Sequence, residues 1–104
     1  MCKLRLLTSA WSDLTKIEDW YTLEFSAQTG AKVVDSILKS LDRLELFPDS
    51  GSPVPDKRLS DQGYRMVLSG QYVSIYRVMG RELLVYRIAN TKTEYTRLFD
   101  GQHL

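Results

Sequence analysis

The segment GYRMVLSGQYVSIYRVMGRELLVYRIANTKTEYTRLF, residues 63–99, constrains this chain more than any other. Apolar and polar residues alternate along three runs, about 64–68, 72–78 and 82–89, and a glycine stands in each of the two breaks. Alternation with period two marks strands that pack one face, and short breaks containing glycine close hairpins. The echo of IYRV (75–78) in VYRI (85–88) fits two partners of one hairpin. Arginines recur inside the runs, at Arg65, Arg77 and Arg87. A guanidinium in a strand is costly to seal off from water, so the segment predicts a small sheet with one packed face and one working face.

Three-residue loops at 69–71 and 79–81 set the expected faces. Met66, Leu68, Tyr72, Tyr76, Val78, Leu84, Tyr86 and Ile88 then share the bulkier face, the one to be packed. The other face carries Arg65, Val67, Val73, Ile75, Arg77, Leu83, Val85 and Arg87. Its aliphatic members would make a semi-exposed patch of the kind that marks protein interfaces, suited to an acidic, amphipathic segment of another chain. These eight residues are the expected partner-binding surface, and Arg65→Ala or Arg87→Ala is expected to leave the fold intact. A two-residue first loop would move Arg65 to the other face. Pairing of Arg77 and Arg87 with Glu82, Glu94 or helix carboxylates is the structural alternative.

Upstream, residues 3–7 form a short strand candidate, and Thr8, Ser9 and Ser12 offer helix N-caps. Trp11, Leu14, Ile17, Tyr21 and Phe25 recur at helical spacing. A break at 26–30, containing Gly30, separates this helix from a second of about 16 residues. Its stripe is Ala31, Val34, Ile37, Leu38, Leu41 and Leu44, and it ends near Phe47-Pro48. The short connection makes the pair an antiparallel hairpin. DSGSPVPD, residues 49–56, is the clear loop. The expected fold class is α+β, β-α-α-β-β-β, with the helix hairpin on one face of a small antiparallel β-sheet, in one domain over residues 1–104.

Charge is unevenly spread. Residues 1–56 hold six Lys/Arg and nine Asp/Glu, whereas residues 57–98 hold eight Lys/Arg and three Asp/Glu. A positive face for nucleic acid or an acidic partner follows. Cys2 is the only cysteine, so no intrachain disulfide forms and a cytoplasmic setting fits. No apolar run approaches the ~20 residues of a membrane span, so no membrane association is expected. The single histidine, His103, reads as part of a frayed tail. Neither a Ser/His/Asp nor a Cys/His arrangement, nor a metal site, nor a phosphate-cradling glycine loop can be assembled. No cofactor and no metal are expected.

LFPDSG (46–51), YRMVLSGQYVSIYRV (64–78) and VYRIANTKTEYTRLF (85–99), in this order after a strand and two helices, resemble the RelE/ParE superfamily of toxins from type II toxin–antitoxin modules. The resemblance spans nearly the whole chain. It implies a cytoplasmic growth inhibitor, neutralised by a cognate antitoxin protein that wraps it. Below that level the superfamily divides. ParE-like members inhibit DNA gyrase; RelE-like members are ribosome-dependent mRNA endoribonucleases. As a nuclease the chain would rely on Arg65, Lys92 and Tyr95, which fall at or near positions that matter in those enzymes. Two departures favour the ParE-like reading. Val73 follows Tyr72 where the endonucleases carry an arginine, and Asn90 stands where many members place a histidine. Valine cannot stabilise a phosphorane-like transition state, and asparagine is no base near neutral pH. A non-toxic binding protein is the third reading.

Overall fold

The computed structural model describes residues 2–92. Chain order is β1 (Lys3–Leu6), α1 (Thr8–Glu24), α2 (Ala27–Leu46), β2 (Ser52–Pro53), α3 (Lys57–Ser60), β3 (Arg65–Ser69), β4 (Tyr72–Met79) and β5 (Glu82–Asn90). The five strands form one sheet in the order β1-β5-β4-β3-β2. The expected α+β class and helix hairpin hold; β2 and the single turn of α3 lie inside what read as plain loop. The sheet is not wholly antiparallel, because β1 runs parallel to β5, with Lys3 opposite Glu82 and Leu6 opposite Val85. Parallel neighbours cannot be joined by a tight turn, and here the whole stretch between them, the helix hairpin followed by β2, α3, β3 and β4, makes the connection.

None of the candidate hydroxyls caps α1. Leu7 occupies the N-cap without a side-chain bond, its N–H donates to the Val85 carbonyl, and Ser9 Oγ donates to the Tyr86 carbonyl at 2.6 Å. The strand-to-helix junction is thus held by the sheet instead of by a cap. The buried side of α1 runs through Ala10, Asp13, Leu14 and Tyr21. Trp11 and Phe25, expected within the stripe, are 52% and 65% exposed. One residue of helix is a turn of about 100°, so a face centred on Ala10 and Leu14 swings Trp11 outward.

The break between the helices is shorter than expected. Phe25 and Ser26 suffice, and Ser26 Oγ caps α2 by accepting from the Thr29 N–H at 3.1 Å. Gly30 therefore lies inside α2, at the crossing with α1. A Cβ there would meet Thr22 Oγ1 at 2.8 Å and the Glu18 carbonyl at 2.9 Å, so glycine permits the close approach.

Both hairpin loops hold two residues, Gly70-Gln71 and Gly80-Arg81, because Ser69 pairs with Tyr72 and Met79 with Glu82. Gly70 and Gly80 have φ of 57° and 62° at the first loop position, as a II′ turn demands. One residue fewer per loop reverses the faces of the flanking strands. Val67, Leu83 and Val85 accordingly turn toward the helices, and Met66, Leu84 and Tyr86 turn away. A bulge then inserts Tyr86 opposite the step between Ile75 and Tyr76, which returns Ile88 to the helix side.

Two apolar layers result. Ala10, Leu14, Ile37, Leu41, Leu44, Tyr76, Leu83, Val85 and Ile88 fill the space between helices and sheet. Val54, Leu59 and Tyr64, from the segment around α3, cover Val73, Ile75 and Tyr86 on the opposite face. The expected semi-exposed patch is therefore not there: Val73, Ile75, Leu83 and Val85 are each 0% exposed. Among the described residues no helix is long and apolar enough to cross a membrane.

Candidate functional site

Each of the three strand arginines is held by its own chain. Arg87 reaches from β5 to α1, where Nε and Nη2 donate to the two Asp13 carboxylate oxygens at 2.8 and 3.0 Å. The same carboxylate accepts the Ile88 N–H at 2.9 Å. Hydrogen bonding to Asp13 raises the Arg87 pKa above its ordinary value, more than burial lowers it. This is the helix-carboxylate alternative weighed from the sequence, and it overturns the expectation that Arg87 stands free on a working face. Asp13 itself was missed. Its signal was there: a carboxylate in phase with the buried stripe needs a partner.

Arg77 is stacked. Its guanidinium carbon lies 4.6 Å from the Tyr64 ring centroid and 5.4 Å from that of Tyr86, and Nη2 donates to the Tyr86 hydroxyl at 2.9 Å. Burial, followed by the neighbouring Tyr86, pushes the Tyr64 hydroxyl up to about 12. Arg77 remains on the second face, half-buried at its open end.

Arg65 lies opposite Tyr76, on the helix side, as a two-residue first loop requires. Its Nη2 donates to the carbonyls of Asp49, at 2.9 Å, and Gly51. The Tyr76 hydroxyl donates to the Pro48 carbonyl at 2.8 Å and accepts from the Gly51 N–H at 3.1 Å. Arg65 and Tyr76 together pin residues 48–51, the heart of the LFPDSG motif. Gly51 is required there because a Cβ would collide with the Tyr76 hydroxyl and stand 2.6 Å from the Met66 carbonyl.

Of the three residues a nuclease would use, Arg65 and Lys92 lie among the described residues, and they are not brought together. Lys92 follows the end of β5, where Asn90 pairs with Tyr72 and the Asn90 side chain accepts the Lys92 N–H at 2.9 Å. Arg65 pairs with Tyr76, four residues further along β4 and on its other side, turned toward the β2 edge. Four residues of strand separate the two positions by about 13 Å along the sheet, before any lateral offset. Tyr95 lies outside the described residues, as does His103. Tyr72, beside Asn90, bonds Tyr21 through their hydroxyls at 3.3 Å. Burial, then that bond, pushes its pKa up to about 12, so it does not exchange a proton near neutral pH.

Open surface gathers in other places. Asp13, Lys16, Ile17, Trp20, Tyr72, Arg87, Ile88, Ala89 and Asn90 line a groove of about 310 Å³ between α1 and the end of β5. Trp20 forms its wall, 52% exposed, and its ring meets those of Tyr21 and Phe25 at centroid distances of 4.9 and 6.0 Å. A second groove, of about 650 Å³, follows the α2 flank and the β3 edge along Lys39, Arg43 and Leu68. Phe47 and Leu68, close to that edge, are 65% and 57% exposed. Among the described residues no group of three or more His, Cys, Asp or Glu side chains is placed to hold a metal ion.

A two-helix hairpin on a sheet of this kind is a fold found in known proteins. The family model for the ParE toxin of the type II toxin–antitoxin system parDE matches residues 4–95. This chain belongs to the ParE toxin family. Membership makes it the toxin component of a type II toxin–antitoxin module, with a cognate antitoxin as its partner. Among solved structures, a chain of the chromosomal ParDE TA system from P. aeruginosa superimposes with a TM-score of 0.74. That chain is 23% identical in sequence, and the match covers 86% of this ParE-family chain and 96% of that one. At such identity the likeness speaks for the fold. No curated protein sequence matches significantly.

Proposed function

We propose that this ParE-family toxin acts in the cytoplasm by inhibiting DNA gyrase through binding, without catalysing a reaction of its own. The observation that carries the reading is the position of Arg65. Its guanidinium is occupied by the Asp49 and Gly51 carbonyls at the β2 edge, so among the described residues Arg65 and Lys92 do not converge on one phosphate. General acid–base cleavage of RNA needs groups within hydrogen-bond reach of one phosphate. Val73, in the place of the nuclease arginine, is sealed beneath the α3 segment.

For the antitoxin, the α1–β5 groove offers Ile17, Trp20 and Ala89 as apolar contacts, with Lys16 and the Arg87 rim beside them. An amphipathic, acidic segment suits that mixture. Of the partner-binding residues expected from sequence, Arg87 alone lines this groove; Val73, Ile75, Leu83 and Val85 are too deeply buried to meet a partner.

Purified toxin should abolish supercoiling by gyrase and accumulate cleaved gyrase–DNA complexes, while leaving transcripts intact in a translating extract. Transcript cleavage with normal supercoiling would overturn the gyrase reading in favour of the RelE-like one. Inactivity in both assays would leave the chain a non-toxic binding protein.

A further inference from the structure

The second sheet face is covered at one end only. Val54, Leu59 and Tyr64 shield Val73, Ile75 and Tyr86, and beyond Tyr86 the covering segment ends with Gln62 and Gly63 beside Arg77. The uncovered end is built from three strands. Leu4 and Leu6 pack toward the helices, so alternation sends Lys3 and Arg5 of β1 to this face. Arg5 lies opposite Leu84, which lies opposite Arg77, forming one row of cation, aliphatic and cation across the sheet. Lys3, Glu82 and Met79 form the next row. The Lys3 N–H donates to the Arg81 carbonyl at 2.7 Å, which sets the β4–β5 turn and Arg81 against the start of β1.

Four cations therefore share this end, and the two rows hold a single carboxylate. Glu82 meets Arg5 at 3.5 Å, with both side chains largely in water, so the pair exchanges readily for another anion. Arg77 is preoriented by its two tyrosine rings, and its Nη1 has only a 3.5 Å contact to the Gln62 carbonyl. The α3 cations do not join the strip, because Lys57 and Arg58 face Asp61 and Asp56.

We infer that this cationic end of the sheet (Lys3, Arg5, Arg77 and Arg81) is a contact surface for the sugar–phosphate backbone of duplex DNA. None of its residues lines the two grooves described above, which could seat the side chains of a peptide. A phosphate backbone needs no such seat, only cations at suitable separations. Two strand spacings put Arg5 and Arg77 about 10 Å apart, and two residues put Lys3 and Arg5 about 7 Å apart. Those distances lie within the ~6 to 12 Å widths of the B-DNA grooves that phosphates border. The inference deepens the gyrase reading, since gyrase presents duplex DNA to any protein docked on it.

The test is anisotropy of a fluorescein-labelled, mixed-sequence duplex titrated with the toxin, alongside the variant Lys3→Ala/Arg5→Ala/Arg81→Ala. Arg77 is left in place because its stack is structural, and an unchanged melting temperature certifies the variant's fold. Four phosphate contacts predict that wild-type affinity falls about a hundredfold between about 50 and 200 mM salt, against about fourfold for the variant. Gyrase inhibition by the variant should weaken in parallel. Equal salt slopes for the two proteins would overturn the inference, as would tighter binding of poly-glutamate than of the duplex at matched charge, which would assign the strip to an acidic peptide. Failure of the wild type to inhibit gyrase, with the salt slopes as expected, would overturn the gyrase reading and leave DNA contact standing.

Discussion

Replacing Asp13 by alanine is the perturbation whose cost the structure defines best. The carboxylate accepts three N–H groups: Arg87 Nε at 2.8 Å, Arg87 Nη2 at 3.0 Å and the Ile88 backbone at 2.9 Å. Side-chain exposures of 11% for Asp13 and 21% for Arg87 mean that water only partly replaces what is lost. A hydrogen bond to a charged group contributes roughly 1.5–3 kcal/mol, and breaking a buried ion pair costs roughly 3–5 kcal/mol. Because Arg87 can rehydrate at its exposed edge, the low end applies, about 3 kcal/mol. Against a total stability of roughly 5–15 kcal/mol, that loss is large yet leaves a folded protein to measure. Asp13→Asn keeps one acceptor for the Ile88 N–H and should lose about half as much. Urea unfolding followed by tryptophan fluorescence is the assay, since Trp11 and Trp20 both lie on α1. Arg87→Ala should be destabilising too, contrary to the expectation from sequence, and the double variant should cost clearly less than the two singles added. A loss under 1 kcal/mol for Asp13→Ala, or strictly additive singles, would show that the bridge does not tie α1 to β5.

Two further outcomes follow from the geometry. Gly51→Ala should destabilise by about 2–4 kcal/mol, because its Cβ must displace the Tyr76 hydroxyl and approach the Met66 carbonyl. Tyr76→Phe should cost about 1–2 kcal/mol through loss of the Pro48 and Gly51 bonds; calorimetric melting checks both, and a neutral Gly51→Ala would refute the tether. Alkaline pH should also unfold the protein. Tyr64 and Tyr72, ordinarily near 10, are each pushed up to about 12 in the fold, so the native state holds protons the unfolded chain has released. That contribution is complete below pH ~10 and is lost between about 10 and 12; a urea midpoint that falls as the pH is raised across that window is the expected record.

Periodicity alone carried the helix hairpin and the three C-terminal strands, because α1, α2 and β3 to β5 bury regular stripes whose spacing is written locally. The order of the motifs carried the family. Which strand residues face the helices was another matter, for it turned on one residue in each hairpin loop. Glycine at the first loop position supports a two-residue II′ turn as well as a wider loop, and only the pairing of Ser69 with Tyr72 and Met79 with Glu82 distinguishes them. The bulge at Tyr86 then reversed the phase again within β5. The arginines were equally opaque one by one. Arg65, Arg77 and Arg87 look alike in sequence, yet their partners lie 16, 9 and 74 residues away: a loop carbonyl, a tyrosine hydroxyl and a helix carboxylate. A charge finds its partner through the folded chain, and local pattern holds no record of which distant group arrives beside it.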